Sequence, residues 1–275
     1  MIVAVIVTFN PAEAPDRLVE ILRGSCEVVL VDNSTEPRAA NLVRNAAQRH
    51  GSARITMGCN AGIAEAQNAG LRHARQLGCD AVVFFDQDSL IDDEAVRGLV
   101  EALEQNPPAV FSLERGAHGV RSSTSRPIRE LMSSGSGCRL EVFDRVGDFE
   151  GDLFIDCVDF EWGWRCRAHR VPLLAIRAGE FQHRLGRAQI GLPFLRAHID
   201  SPVRLYYQYR NICVMLGRGY VPFAWKLAQT ARSLSKLLGM VIWTTDRRSR
   251  LSMVRRGLCD ALRGRLGPFR EGAGT

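Results

Sequence analysis

Ile2 to Val7 is an unbroken apolar run, rich in β-branched residues, and it stops at Thr8-Phe9-Asn10-Pro11. A run of that kind, closed by turn residues, predicts a strand buried on both faces, as in a parallel sheet. Leu18, Ile21 and Leu22 recur at helical spacing within Pro15 to Arg23, and Glu27 to Val31 repeats the buried-strand pattern before Asp32-Asn33-Ser34. Strand, helix and strand within the first 31 residues make a βαβ unit. The alternation continues with a helix over Arg38 to His50, a short strand over Arg54 to Met57 and an Ala-rich helix over Gly62 to Leu77. A strong strand over Asp80 to Phe85 follows, then a helix over Asp92 to Gln105, stopped by Asn106-Pro107-Pro108. The pattern predicts an open, mostly parallel α/β sheet flanked by helices, with ligand groups at the carboxyl ends of its strands.

From Val110 to Asp144 the rhythm breaks into short segments with Gly, Ser and Arg, read as loops and mixed strands. Short elements at Phe143 to Gly147 and Leu153 to Ile155 lead into a charged helix over Asp159 to His169 and a strand over Pro172 to Ile176. Ser201-Pro202 opens the first of three amphipathic helices, over Pro202 to Leu216, Pro222 to Met240 and Arg247 to Arg263. This divides the chain into an α/β domain over 1–200 and a helical extension over 201–275.

The chain has 275 residues, 46% hydrophobic and 24% charged, which is ample for one large core. The opening segment has no basic region and no cleavage site, and no run of about 18 apolar residues occurs, so neither a signal peptide nor a membrane span is expected. None of the eight cysteines sits in a C-x-x-C pair, so they read as reduced thiols of a cytoplasmic protein. Charge adds a further feature. Gly217 to Thr275 holds 12 basic and 3 acidic residues, a net of +9, whereas the residues before it carry a net of −3. Two readings of this charge stand side by side: peripheral contact with an anionic membrane, or a solvated helical face. No nucleic-acid partner is expected.

Candidate chemistry sits at the strand ends: Thr8 and Asn10, then Asp32, Asn33 and Ser34, then Asp86 and Asp88. One Asp after a strand is usually a cap or a turn residue. Three such groups along one edge of a parallel sheet would line a crevice suited to a nucleoside. In Asp86-Gln87-Asp88, two carboxylates one residue apart can approach one hard cation, Mg²⁺ or Mn²⁺. Neither G-x-G-x-x-G after a strand nor a P-loop occurs, which disfavours a dehydrogenase or a P-loop enzyme and leaves a diphosphate to the cation. Asp156, Asp159 and Glu161 put three carboxylates within six residues, beside Phe154, Phe160 and Trp162. An acid against such a wall has a raised pKa and suits a general base. Helix-dipole stabilisation accounts for one or two of the three. His183 has the best local context of the six histidines.

These residues resemble the family 2 glycosyltransferases of GT-A fold and, within them, the bacterial rhamnosyltransferases. The matching stretches are Val5 to Pro11, Val29 to Ser34, Asn60 to Gly70, Phe85 to Ser89, Ser134-Gly135, Phe154 to Arg165 and His183 to Gly186, in family order. The resemblance implies that Thr8, Asn10, Asp32 and Asn33 bind the nucleobase and ribose. Asn60, Gly62, Gln67 and Asn68 would shape the nucleotide pocket, with Gln87 beside it. Asp88 would be the main metal ligand, Asp86 would lie near the sugar or ribose and the metal, and His183 would complete the metal shell. Asp159 matches the family's catalytic base, with Asp156 and Glu161 as neighbours able to share or support that role. The implied reaction is one displacement with inversion. Its donor is a nucleotide sugar, dTDP-L-rhamnose by the Asn60 to Asn68 and Asp86 to Ser89 stretches, and its acceptor is a cell-surface glycan, free or lipid-linked. Rival readings are a different nucleotide-sugar donor, a sugar nucleotidyltransferase, which would need a Gly-rich loop where Thr8 to Ala12 stands, and a sensor without turnover.

Overall fold

The computed structural model describes residues 1–116, 125–183, 189–190, 197–198, 201–244 and 246–270. Strands β1 (Ile2–Thr8), β2 (Glu27–Asp32), β3 (Ala53–Thr56) and β4 (Ala81–Asp86) alternate with helices α1 (Asp16–Arg23), α2 (Pro37–His50) and α3 (Ile63–Gln76). All seven residues of β1 are buried, as the unbroken apolar run requires. After β4 come β5 (Ser89–Ile91), α4 (Asp93–Gln105), β6 (Val110–Leu113), β7 (Arg126–Pro127), β8 (Ser136–Arg139) and α5 (Leu140–Val146). Helix α6 (Val158–Ala168), β9 (Leu173–Ile176) and β10 (Phe181–His183) follow, and then α7 (Pro202–Gly217), α8 (Phe223–Trp243) and α9 (Arg247–Leu262).

Eight strands form one sheet in the order β3-β2-β1-β4-β8-β6-β9-β7. Its first four strands are parallel, β8 is antiparallel to both β4 and β6, and β9 returns parallel to β6. The expected open, mostly parallel sheet is therefore present, with β8 reversed at its middle and β7 reversed at its edge. Alternate residues of β1 feed two cores. Val3, Val5 and Val7 pack with α3, α5 and α6, and Ile2, Ala4 and Ile6 with α1, α2 and α4. At Gly70 of α3 a Cβ would lie 2.3 Å from Val5, so glycine lets the helix sit directly on β1. The helices expected along the chain stand where the periodicity places them, within one to three residues. Two short elements differ. Leu140–Val146 is a helix rather than part of a mixed loop, and Gly151–Leu153 is one 3₁₀ turn. Among the described residues no helix is long and apolar enough to cross a membrane.

Candidate active site

The parallel strands deliver the polar residues to one edge, because register sets Thr8 beside Asp32 and Val7 beside Asp86. Thr8 is buried and donates its hydroxyl to the Val31 carbonyl at 3.3 Å. Asp32 is buried too; it accepts from the Ser34 amide at 3.2 Å and pairs with Arg54 at 3.4 Å. Gln87 exchanges two hydrogen bonds with the Phe9 backbone, accepting at 2.7 Å and donating at 3.2 Å, and so ties the end of β4 to the end of β1. A cleft of about 400 Å³ opens beside Asp88, lined by Pro11, Ala14, Leu18, Gln87 and Leu90.

The carboxamides of this edge shape loops. Asn10 stands at φ +43, and its Oδ1 accepts from the Thr35 and Glu36 amides at 2.9 and 3.0 Å. Asn33 accepts from the Ala61 amide at 2.8 Å and donates to Asn60 Oδ1 at 3.1 Å, while Asn60 Oδ1 also accepts from the Gly62 amide at 3.1 Å. Asn68 pairs both ways with the Phe149 backbone, at 2.9 and 3.1 Å. Gln67 is 2% exposed, and its Oε1 has no hydrogen-bond partner among the described residues.

Two carboxylates, Asp86 and Asp159, share one water-poor patch, and Asp88 stands beside Asp86. Asp86 is pushed up to about 6, first by burial and then by the charge of Asp88, with Arg115 opposing. Asp159, in the first turn of α6, is also pushed up to about 6. Burial is the main cause and Asp86 adds to it, while the Phe160 amide at 3.0 Å and the Ser133 backbone oppose it. The Ser134 hydroxyl accepts from the Asp86 amide at 3.2 Å and lies 2.7 Å from the Ser89 hydroxyl, which fixes the turn bearing Asp88. Pairing of β10 with β5 sets the His183 backbone opposite Ser89, one residue beyond Asp88; the His183 side chain lies outside the described residues.

Mutually repelling carboxylates fit a hard divalent cation, which would relieve the repulsion that raises Asp86. Among the described residues no three His, Cys, Asp or Glu side chains stand in a ligating group, so Asp86 and Asp88 are the donors the described geometry offers.

The other two acids of the cluster face different partners. Asp156 is held by Arg204 of α7 at 3.0 and 3.3 Å. Glu161 is 1% exposed and is enclosed by Arg165 at 2.8 Å, the Tyr220 hydroxyl at 2.6 Å and Arg218 at 3.2 Å. At about 100° per residue, two steps along α6 turn Glu161 to the side away from Asp159. Asp159 is therefore the acid of this cluster that shares the patch with Asp86.

The loop entering α6 carries backbone strain. Phe154, Asp156 and Cys157 have φ of +67, +64 and +67, and none is glycine. It persists because α7 holds it. Asn211, fully buried, donates to the carbonyls of Leu153, Ile155 and Asp156 at 2.9, 2.7 and 2.9 Å. Arg210, also fully buried, donates to the carbonyls of Asp152, Leu153 and Gly267. Nothing in the sequence pattern marks Asn211 or Arg115, because each gains its role from a partner far along the chain. Asn211→Leu keeps the size but leaves those carbonyls unpaired, and it is expected to lower stability by about 2–4 kcal/mol. Urea unfolding of the two proteins measures this, and a loss below about 1 kcal/mol would contradict the role given to the amide.

Residues 3–156 match the pattern of Glycosyl transferase family 2, more than half of the chain. The chain belongs to this family. Within family 2 it is 30% identical over 256 residues to the dTDP-rhamnosyl transferase RfbF of Shigella flexneri, covering 85% of this chain and 86% of that one. Among solved structures it is similar to S. aureus TarS 1-349 in complex with UDP-GlcNAc, at 16% identity and a TM-score of 0.53, covering 98% of this chain and 97% of that one. It is also similar to the mannosyltransferase PcManGT of Pyrobaculum calidifontis in complex with GDP-Man and Mn²⁺, at 14% identity and a TM-score of 0.55, covering 96% and 86%. These likenesses show the GT-A fold. The protein is a glycosyltransferase that uses a nucleotide sugar.

Proposed function

We propose that this family 2 enzyme transfers L-rhamnose from dTDP-L-rhamnose to a hydroxyl of a cell-surface polysaccharide or lipopolysaccharide acceptor, with inversion and with Mg²⁺ or Mn²⁺ bound. The observation that carries the reading is Asp159, held near neutrality beside Asp86 at the carboxyl edge of the sheet. An acid of pKa about 6 accepts a proton readily near neutral pH. Asp159 takes the proton of the acceptor hydroxyl as that oxygen bonds to the anomeric carbon. The bond from that carbon to the diphosphate oxygen breaks on the opposite side, and the nucleoside diphosphate leaves. One displacement inverts the anomeric centre, so a single base suffices, unlike the paired carboxylates of glycosidases. Asp86 and Asp88, with His183, would hold the cation, which supplies charge neutralisation for the departing diphosphate. The edge from Thr8 to Asp32 and the Asn33-Asn60-Gly62 turn would seat the nucleoside, with Gln67 and Asn68 behind it. The rhamnosyl donor is supported by the resemblance to RfbF over most of both chains. The net +9 of 217–275 supports work beside an anionic membrane, where a lipid-linked acceptor is presented.

A donor screen tests this. dTDP-rhamnose, UDP-glucose, UDP-galactose and GDP-mannose are each supplied with and without divalent metal, and hydrolysis and binding are read. Metal-dependent preference for dTDP-rhamnose is expected, with the response lost in Asp88→Ala. Preference for another donor would remove rhamnose and keep the mechanism.

A further inference from the structure

Helix α8 is apolar on two sides. One side is used inside the fold, where Trp225 meets Trp164 edge-on at 4.7 Å and Met240 packs with Leu205, Tyr209 and Val254. The opposite side faces solvent with Phe223, Leu227, Leu234, Leu238 and Ile242, each between 56% and 79% exposed. At about 100° per residue the first four fall within roughly 60° of arc, with Val241 in the same stripe. An ordinary surface helix shows one apolar stripe, turned to the core, and charge on the other side. In α8 the lysines are turned to neighbours instead: Lys226 donates to the Arg218 carbonyl and Lys236 to Gln208, both at 2.7 Å. The exposed stripe is thus left without charge along its centre. A contiguous apolar face of this length marks an interaction surface.

Charge selects the occupant. Arg232 of α8 and Arg247, Arg248 and Arg255 of α9 are all exposed, within a segment of net +9. A second copy seated on the stripe would bring two such segments together, and their repulsion opposes it. An anionic bilayer satisfies both features, with acyl chains for the leucines and headgroups for the arginines. α8 is not apolar enough to span, so it would lie in the interface plane.

We infer that the outward stripe of α8, with the exposed arginines of this basic segment, is the means by which the protein docks on an anionic lipid surface. This deepens the membrane part of the function proposed above and rests on it for the setting, while its test is independent of the donor.

Co-sedimentation with vesicles of phosphatidylcholine alone, or mixed equally with phosphatidylglycerol, tests the inference on the full chain. The expected result is binding at least about tenfold stronger to the anionic vesicles, weakening as salt is raised. Leu234→Glu with Leu238→Glu is expected to reduce it by about tenfold or more, and Arg232→Ala with Arg248→Ala and Arg255→Ala to reduce the preference for anionic lipid. All five positions are exposed, and an unchanged unfolding midpoint and unchanged donor hydrolysis show that the variants fold. Absence of sedimentation with anionic vesicles at low salt would overturn the inference. So would a double glutamate variant that binds as the parent does, or a parent dimer that this variant splits without loss of vesicle binding. Donor binding, read separately in solution, distinguishes failure of this surface from failure of the transfer reading.

Discussion

Asp159→Asn is expected to lower transfer by about 10²–10⁴-fold and, at the same time, to make the protein more stable at pH 8 in the presence of a chelator. The first effect follows from loss of the proton acceptor, since an amide cannot take the acceptor's proton. The second follows from linkage. The folded state raises the Asp159 pKa to about 6 from an ordinary 3.8, so it favours the neutral acid. The corresponding stability is fully present below about pH 3.8 and is lost as pH rises through about 6, where the buried group must ionise. At pH 8 the native enzyme carries an unfavourable charge that the variant lacks. Two pK units correspond to about 3 kcal/mol, and partial solvent access reduces the expected gain to about 1–2 kcal/mol. Below pH 4 the two proteins should unfold alike. Chemical denaturation across this range, beside a transfer assay at pH 8, measures both effects. A variant that transfers at the parent rate would remove Asp159 from the base role. One that loses transfer without gaining stability at pH 8 would contradict the desolvation assigned to it.

Gly62→Ala is expected to be the most disruptive one-carbon change near the carboxyl edge of the sheet. Gly62 has φ +85 and ψ 165, a region open essentially to glycine alone. A Cβ there would lie 2.5 Å from the Phe154 carbonyl oxygen and 2.7 Å from its ring. The adjoining hydrogen bond, Ile63 amide to Phe154 carbonyl at 2.7 Å, would be pushed apart with them. Backbone strain, a contact with backbone and a lost hydrogen bond together suggest a loss of about 3–5 kcal/mol. Gly51→Ala separates the causes. Its φ of +59 is also left-handed, but nothing lies within 4 Å of the added carbon, so a loss of about 1 kcal/mol is expected. Equal losses at the two positions would show that conformation alone, without the Phe154 contact, sets the penalty at Gly62.

The sequence shows most clearly what depends on burial alone. β1, β2 and β4 are legible because strands covered on both faces need unbroken apolar runs, and Asp86 and Asp88 are legible because charge directly after such a run is conspicuous. β5 and β10 are not, since Ser89-Leu90-Ile91 acquires strand character only by pairing with Phe181-Gln182-His183, about ninety positions later. The reversed β8, Ser-Gly-Cys-Arg, has no alternating signal; its place between β4 and β6 is fixed by neighbours. Within the acidic cluster, three carboxylates looked equivalent by composition. Arg204 beside Asp156, and Arg165, Arg218 and Tyr220 around Glu161, make the difference, and three of these four belong to the helical extension. The left-handed Phe154, Asp156 and Cys157 were hidden for the opposite reason, because no glycine announces them.

That strained loop ties the active site to the order in which the chain is made. Domains form from the amino end as synthesis proceeds, and β1 to β4 with their helices can pair as they emerge. The turn into α6 cannot settle so early, because the carbonyls it exposes are met by Arg210 and Asn211, and Arg210 is itself braced by the Gly267 carbonyl. A ribosome-bound nascent chain would therefore own the carboxyl edge of β1 to β4 well before it owns a placed Asp159. The placing of Asp159 therefore waits for α7 and Gly267, the same stretch of chain that completes the helices around the exposed α8 stripe.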